Sequence, residues 1–116
     1  MSRRTDRVGD LLRAELSDLL TREVADPRVR LATVISVETS PDLRHADVSV
    51  SVLGAESERR EAIEALRGAQ GFLRSRLARK VRLRNVPELR FRLDRGAEHS
   101  QRISDLLESL HDDESA

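Results

Sequence analysis

Residues 56–93 read ESERREAIEALRGAQGFLRSRLARKVRLRNVPELRFRL, and the topology of the chain follows from how this stretch changes period. From Glu56 to Arg67, Ala62, Ile63 and Leu66 recur at helical spacing, with Ser57 as a candidate cap. Gly68-Ala69-Gln70-Gly71 interrupts the pattern, which resumes at Phe72, Leu73, Leu77 and Val81. Pro87 stops this second helix, because proline lacks the N–H that a helix interior uses. Leu89, Phe91 and Leu93 then alternate with Arg90, Arg92 and Asp94, the period of a strand with one face buried. The stretch predicts helix, kink, helix, strand.

Upstream, Val8, Leu11, Leu12, Leu16, Leu19, Leu20 and Val24 form the stripe of an amphipathic helix over 6–24. Thr5 or Asp6 is its expected cap, and Asp26-Pro27 its expected end, since the residue before proline avoids the helical region. Leu31 to Thr39 is rich in β-branched residues and predicts a strand. Ser40-Pro41-Asp42 supplies a turn. Ala46, Val48, Val50 and Val52 alternate with polar residues as the second arm of a hairpin. Downstream of Gly96, Ile103, Leu106, Leu107 and Leu110 mark a last amphipathic helix. The expected architecture is α+β: helix, strand, strand, helix, kink, helix, strand, helix, with the helices packed on a three-stranded sheet. One domain over 1–111, followed by a polar tail over 112–116, accounts for the chain. The strand, helix, kinked helix, strand core is that of a K-homology domain.

Composition narrows the function. The chain has 116 residues, no Trp or Tyr and two Phe, so it offers little aromatic surface for stacking unpaired bases. It has no Cys, which excludes a thiol nucleophile and a Cys-based zinc site. No apolar run reaches signal-peptide or membrane-span length, so a cytoplasmic chain without a membrane partner is expected. His45, His99 and His111 are isolated and show no metal-ligand spacing. Neither a Gly-x-Ser-x-Gly elbow nor a Walker-type loop is present. The expectation is a protein without catalytic residues, metal, cofactor or small-molecule substrate.

Net charge is zero, but its distribution is uneven. Residues 1–58 carry a net of −3, residues 59–95 a net of +8, and residues 96–116 a net of −5. Such a block creates a local field that the overall balance conceals. Residues 72–87 contain no acid, whereas a merely solvated helix face would intersperse Glu to offset repulsion between neighbouring cations. On that helix Arg76, Arg79 and Arg82 are expected to form one strip, with Arg74 on the other flank and Lys80 and Arg84 extending the field. Arg90 and Arg92 are candidates to enlarge the patch across the sheet, and Arg3, Arg4 and Arg7 to form a basic arm. The planar fork of arginine suits phosphate, and RNA is the expected partner. Gly68-Ala69-Gln70-Gly71 has two readings: a Gly-x-x-Gly loop clamping a phosphate backbone, or a bend that aims the following helix.

The chain resembles the ribosome-binding factor A family along nearly its whole length. The resemblance begins with the helix from Arg4 to Leu20 and runs through Asp26-Pro27-Arg28 and Ser40-Pro41-Asp42-Leu43. It is most specific in Ala69-Gln70-Gly71-Phe72-Leu73-Arg74 and in the segment from Leu83 to Phe91, and Arg102-Ile103-Ser104 with Leu106-Leu107 completes it. It implies a type II K-homology fold and a bacterial factor without catalytic activity, and a monomer is expected. Such a factor binds the small (30S) ribosomal subunit and its rRNA and acts late in maturation, including 5′ processing of the 16S precursor. It also supports growth in the cold. In that family the interhelical element is an Ala-x-Gly kink, which Ala69-Gln70-Gly71 matches. A single-strand K-homology module and a protein-interaction module are the alternatives.

Overall fold

The computed structural model describes residues 3–94, together with Leu106 and Leu107. Its first element, α1 (Arg3–Arg22), buries Val8, Leu12, Leu16, Leu19 and Leu20. Leu11 is 42% exposed, since at about 100° per residue it falls on the edge of the stripe. The helix starts at Arg3, earlier than expected. Arg4 and Arg7 therefore stand on its first turns and not on a flexible arm. Thr5 is no cap: it is buried within α1, and its carbonyl accepts a hydrogen bond from Thr39 Oγ1 at 3.1 Å.

Asp26-Pro27 does not end α1 but opens a short 3-10 turn, Pro27–Val29. Asp26 Oδ1 accepts from the Arg28 N–H at 2.9 Å, and the turn delivers Val29 to the core. The hairpin follows as expected. β1 (Ala32–Thr39) and β2 (His45–Val52) pair antiparallel, from Ala32 opposite Val52 to Thr39 opposite Ala46. The register slips between Val34 and Ser36, which makes Ile35 the extra residue of a bulge. Val34 and Val37, three positions apart, can then both face inward while Ile35 is exposed. This bulge is why the first strand lacks the alternation that marks the second. In the turn, Leu43 donates its N–H to Ser40 O at 2.9 Å and holds φ at 59°, a left-handed conformation that costs a non-glycine residue about 1–2 kcal/mol.

α2 (Glu56–Gly68) is capped at Ala55, whose N–H donates to Glu58 Oε1 at 3.1 Å, so Ser57 lies inside the first turn. α3 (Gln70–Lys80) follows after a single residue, and β3 (Glu88–Leu93) then lies parallel to β2, giving the sheet order β1-β2-β3. The core sits between helices and sheet, where Leu12, Leu16, Leu19, Leu66, Leu73, Leu77, Val48, Val50 and Phe91 are fully buried. This is the α+β, type II K-homology-like arrangement. Two expectations for the third helix change. Phe72 is 41% exposed, outside the core. The helix ends at Lys80, because Val81 turns extended and buries its side chain, and Arg82 and Arg84 lie in the irregular segment 81–87. Of the last expected helix, Leu106 and Leu107 are helical and exposed. Ile103, Leu110 and the tail over 112–116 lie outside the described residues.

Candidate RNA interface

The kink turns on one residue. Ala69 has φ −90° and ψ 3°, donates its N–H to Ala65 O and Leu66 O, and accepts from the Leu73 N–H. Gly68 is the last residue of α2 and Gly71 the second of α3. Neither has a positive φ, and a Cβ at either would meet nothing within 4 Å. The backbone bends there and does not loop out. Ala at position 68 or 71 is therefore expected to keep the fold and to stabilise it by up to about 1 kcal/mol through the unfolded chain, read as an equal or higher urea midpoint. A clear loss of stability would mean that glycine's freedom is used.

Gln70 has a different task. Its Oε1 accepts the outward N–H of Leu89 at 2.7 Å, Arg67 Nη2 donates to Phe91 O at 3.2 Å, and Arg74 Nη2 donates to Val86 O at 2.8 Å. Residues 67, 70 and 74 share one helical face across the kink, and they staple it along the outer edge of β3 and the segment before it. Two backbone groups that the edge strand would leave open, the Leu89 N–H and the Phe91 carbonyl, are thus already engaged. Sequence reading placed Arg74 among RNA ligands and Gln70 within the kink, and it assigned neither to the edge strand. The signal was the 67-70-74 spacing, which acquires meaning only when the edge strand is in place.

The expected arginine strip divides. Arg76 lies over the Phe72 ring, 5.1 Å from its centroid, and its Nε is 3.6 Å from Glu23 Oε2. Lys80 Nζ is 3.1 Å from Asp18 Oδ2, and Asp18 also pairs with Arg22 at 2.8 Å. Two cations of α3 are therefore paired with acids of α1 and the residue just after it. Arg79 is exposed without an ion pair among the described residues, and Arg82 is off the helix. On the outer sheet face, Arg90 Nη2 is 3.1 Å from His45 Nδ1, Glu88 Oε2 is 3.3 Å from the same nitrogen, and Arg92 is 3.5 Å from Asp47.

The remaining arginines converge elsewhere. Arg4 from α1, Arg44 from the end of the hairpin turn, Arg74 from α3, and Arg82 and Arg84 line a groove of about 500 Å³. Leu43, Leu83 and Val86 also line it, each half-buried against the core. Its one acid, Asp42, accepts from the Ser40 hydroxyl at 2.6 Å and the Arg44 N–H at 3.0 Å, and these bonds hold its carboxyl below the usual range. Arg44 Nε lies 3.9 Å from Asp42, a loose contact. Pairing of β3 with β2 builds the groove: Glu88 donates its N–H to Arg44 O at 2.8 Å, which draws segment 82–86 against the turn. Arg44 was missed from sequence because it sits in the net acidic part of the chain. Arg7 is exposed but does not line the groove, and Arg3 shares the start of α1.

Among the described residues no group of three His, Asp or Glu side chains could hold a metal ion, and no helix is long and apolar enough to cross a membrane. What the geometry can do is gather phosphate oxygens.

Known proteins are similar to this chain in sequence and fold. The family model described as Ribosome-binding factor A matches residues 4–107. A ribosome-binding factor A from Halothermothrix orenii is 45% identical over 111 residues, which span 96% of this chain and 91% of the relative. The crystal structure of ribosome-binding factor A from Thermus thermophilus superposes with a TM-score of 0.72 at 32% identity, covering 79% of this chain and 97% of that one. A homology model of ribosome-binding factor A from Thermus thermophilus, fitted into the cryo-EM map of a complex with 30S, superposes with a TM-score of 0.63 at 34% identity. It covers 74% of this chain and 90% of that one.

Proposed function

The chain belongs to the ribosome-binding factor A family, and from that premise we propose that it docks on the small (30S) ribosomal subunit as a non-catalytic assembly factor. It contacts rRNA phosphates chiefly through the arginine groove. It acts late in maturation of the subunit, up to 5′ processing of the 16S precursor, as a cytoplasmic monomer whose single domain over 1–111 carries a polar tail. One observation supports this reading above the others: five arginines from separate parts of the chain converge on one groove with a single, already hydrogen-bonded carboxylate. Arg79 on α3 and Arg90 and Arg92 on the outer sheet face add exposed positive charge outside the groove.

Subunit affinity is expected to fall with salt. If about four to six phosphates are neutralised, log affinity should decline against log salt with a slope of roughly −3 to −5. Co-sedimentation with small and large subunits over a salt series checks both slope and choice of subunit. A flat response, or equal binding to large subunits, would remove the reading. The single-strand K-homology alternative needs an open strand edge or a backbone-clamping loop. Gln70 and Arg67 already engage two outward groups of that edge, and the chain bends at Ala69 between adjoining helices, which favours the assembly-factor reading. A protein-interaction module would bind its partner equally well after nuclease treatment.

A further inference from the structure

We infer that the groove between the hairpin turn and segment 82–86 receives one unpaired rRNA nucleotide. Its phosphate is held by Arg44, Arg82 and Arg84, and its sugar and base lie on Leu43 and Leu83. This rests on the reading of the chain as a small-subunit binder and adds the form of RNA that the groove takes.

Three observations lead there. The first is size. A cavity of about 500 Å³ falls in the roughly 300–1,000 Å³ range of sites for small organic ligands. Duplex RNA is instead recognised by shape across successive minor grooves, over about 16 base pairs in the dedicated domains. The second is the lining. Phosphates alone require only cations, yet Leu43, Leu83 and Val86 face the groove, half-buried against the core. Apolar side chains beside guanidinium groups match a nucleotide, whose charge and flat base lie at opposite ends. No aromatic residue lines the groove, so its aliphatic side chains supply the surface on which that base rests. The third is Leu43 itself, the one non-glycine residue with positive φ among the described residues. Glycine or asparagine adopts that conformation with less strain. A leucine there keeps an apolar side chain against the groove at the expense of the turn, and strain of this kind gathers at functional sites. Arg82 and Arg84 have no ion pair among the described residues and are free to meet a phosphate.

The experiment uses the full chain and purified small subunits. Leu43→Asn keeps a residue that tolerates the left-handed turn but removes the apolar surface. It is expected to melt within a few degrees of the parent and to bind subunits about five- to tenfold more weakly, as befits loss of part of one base contact. Unchanged affinity in that folded variant would overturn the inference while leaving the functional reading in place. Independently, Leu83→p-benzoylphenylalanine is photocrosslinked in the complex and the attached residue identified. A nucleotide that chemical probing of the subunit finds unpaired is expected. A base-paired nucleotide, a ribosomal protein or no crosslink would overturn the inference even if Leu43→Asn fails to fold. Absence of subunit binding by the unaltered chain would instead remove the functional reading and this inference with it.

Discussion

Replacing Arg44, Arg82 and Arg84 together by Ala should lower affinity for the small subunit by about 100-fold or more, with the melting temperature within a few degrees of the parent. Hydrogen bonds to charged groups contribute roughly 1.5–3 kcal/mol each where well formed. Even about 1 kcal/mol for each of three exposed contacts gives some 3 kcal/mol, or about 150-fold, at 1.4 kcal/mol per tenfold. The fold should hardly notice. All three side chains are exposed, and their one ionic contact among the described residues is the 3.9 Å approach of Arg44 to Asp42. The comparison variant is Arg76→Ala with Lys80→Ala, which removes two cations from the helix that sequence reading favoured. Those cations already face Glu23 and Asp18, so a phosphate must first displace a carboxylate. That pair of changes should cost the fold less than about 1 kcal/mol per ion pair and reduce binding by only a few fold. Anisotropy or co-sedimentation at one fixed salt concentration ranks the two variants. The reverse ranking would move the interface from the groove to the face shared by α1 and α3.

Why sequence pointed to the helical strip and not to the groove can be stated in physical terms. Local period identified the second hairpin strand, both helices around Ala69 and the last strand, because each buries one face at a fixed repeat, while β-branched content marked the bulged first strand. It misjudged the end of α3. Val81 continues the helical spacing of Leu73 and Leu77 and is buried, yet its backbone is extended so that the chain can return to the sheet. Spacing records which side chains are buried, not the backbone state that buries them. Arg82 was thus assigned to a helix it has already left. Charge counting by segment found the basic block but not the groove. Arg4 and Arg44 belong to a stretch with net −3 and reach Arg82 and Arg84 only through the pairing of β3 with β2. The kink was legible as a break. That it is a bend follows from the φ values and from Gln70, whose hydrogen bond to Leu89 fastens it to the edge strand.

The largest stability effect is expected from one added methyl group. Gly9 lies inside α1, where intrinsic preference favours Ala over Gly by about 0.5–1 kcal/mol. Propensity alone would make Gly9→Ala stabilising, as expected at Gly68 and Gly71, where a Cβ has open space. At Gly9 a Cβ would stand 2.4 Å from Val37 O, and that oxygen belongs to the backbone of β1, not to a side chain that can swing aside. Val37 is itself paired with Val48 on the central strand, just past the bulge. α1 must therefore lift from the sheet, and in lifting it draws Thr5 O from Thr39 Oγ1 and loosens the contacts of Val8 and Leu12. Overpacking of a tight contact costs about 1–3 kcal/mol. The hydrogen bond adds about 1 kcal/mol. After the helical gain is subtracted, a net loss of about 2 kcal/mol remains, or roughly 8–15 °C in melting temperature for a domain of this size. Thermal and urea unfolding of Gly9→Ala beside Gly71→Ala makes the comparison, and an unchanged or raised melting temperature in the former would mean that α1 does not approach β1 this closely. Because α1 also carries Arg4 into the groove, the same variant should bind subunits a few fold more weakly even where it is fully folded, linking one missing Cβ in the packing of α1 to the geometry of the RNA site.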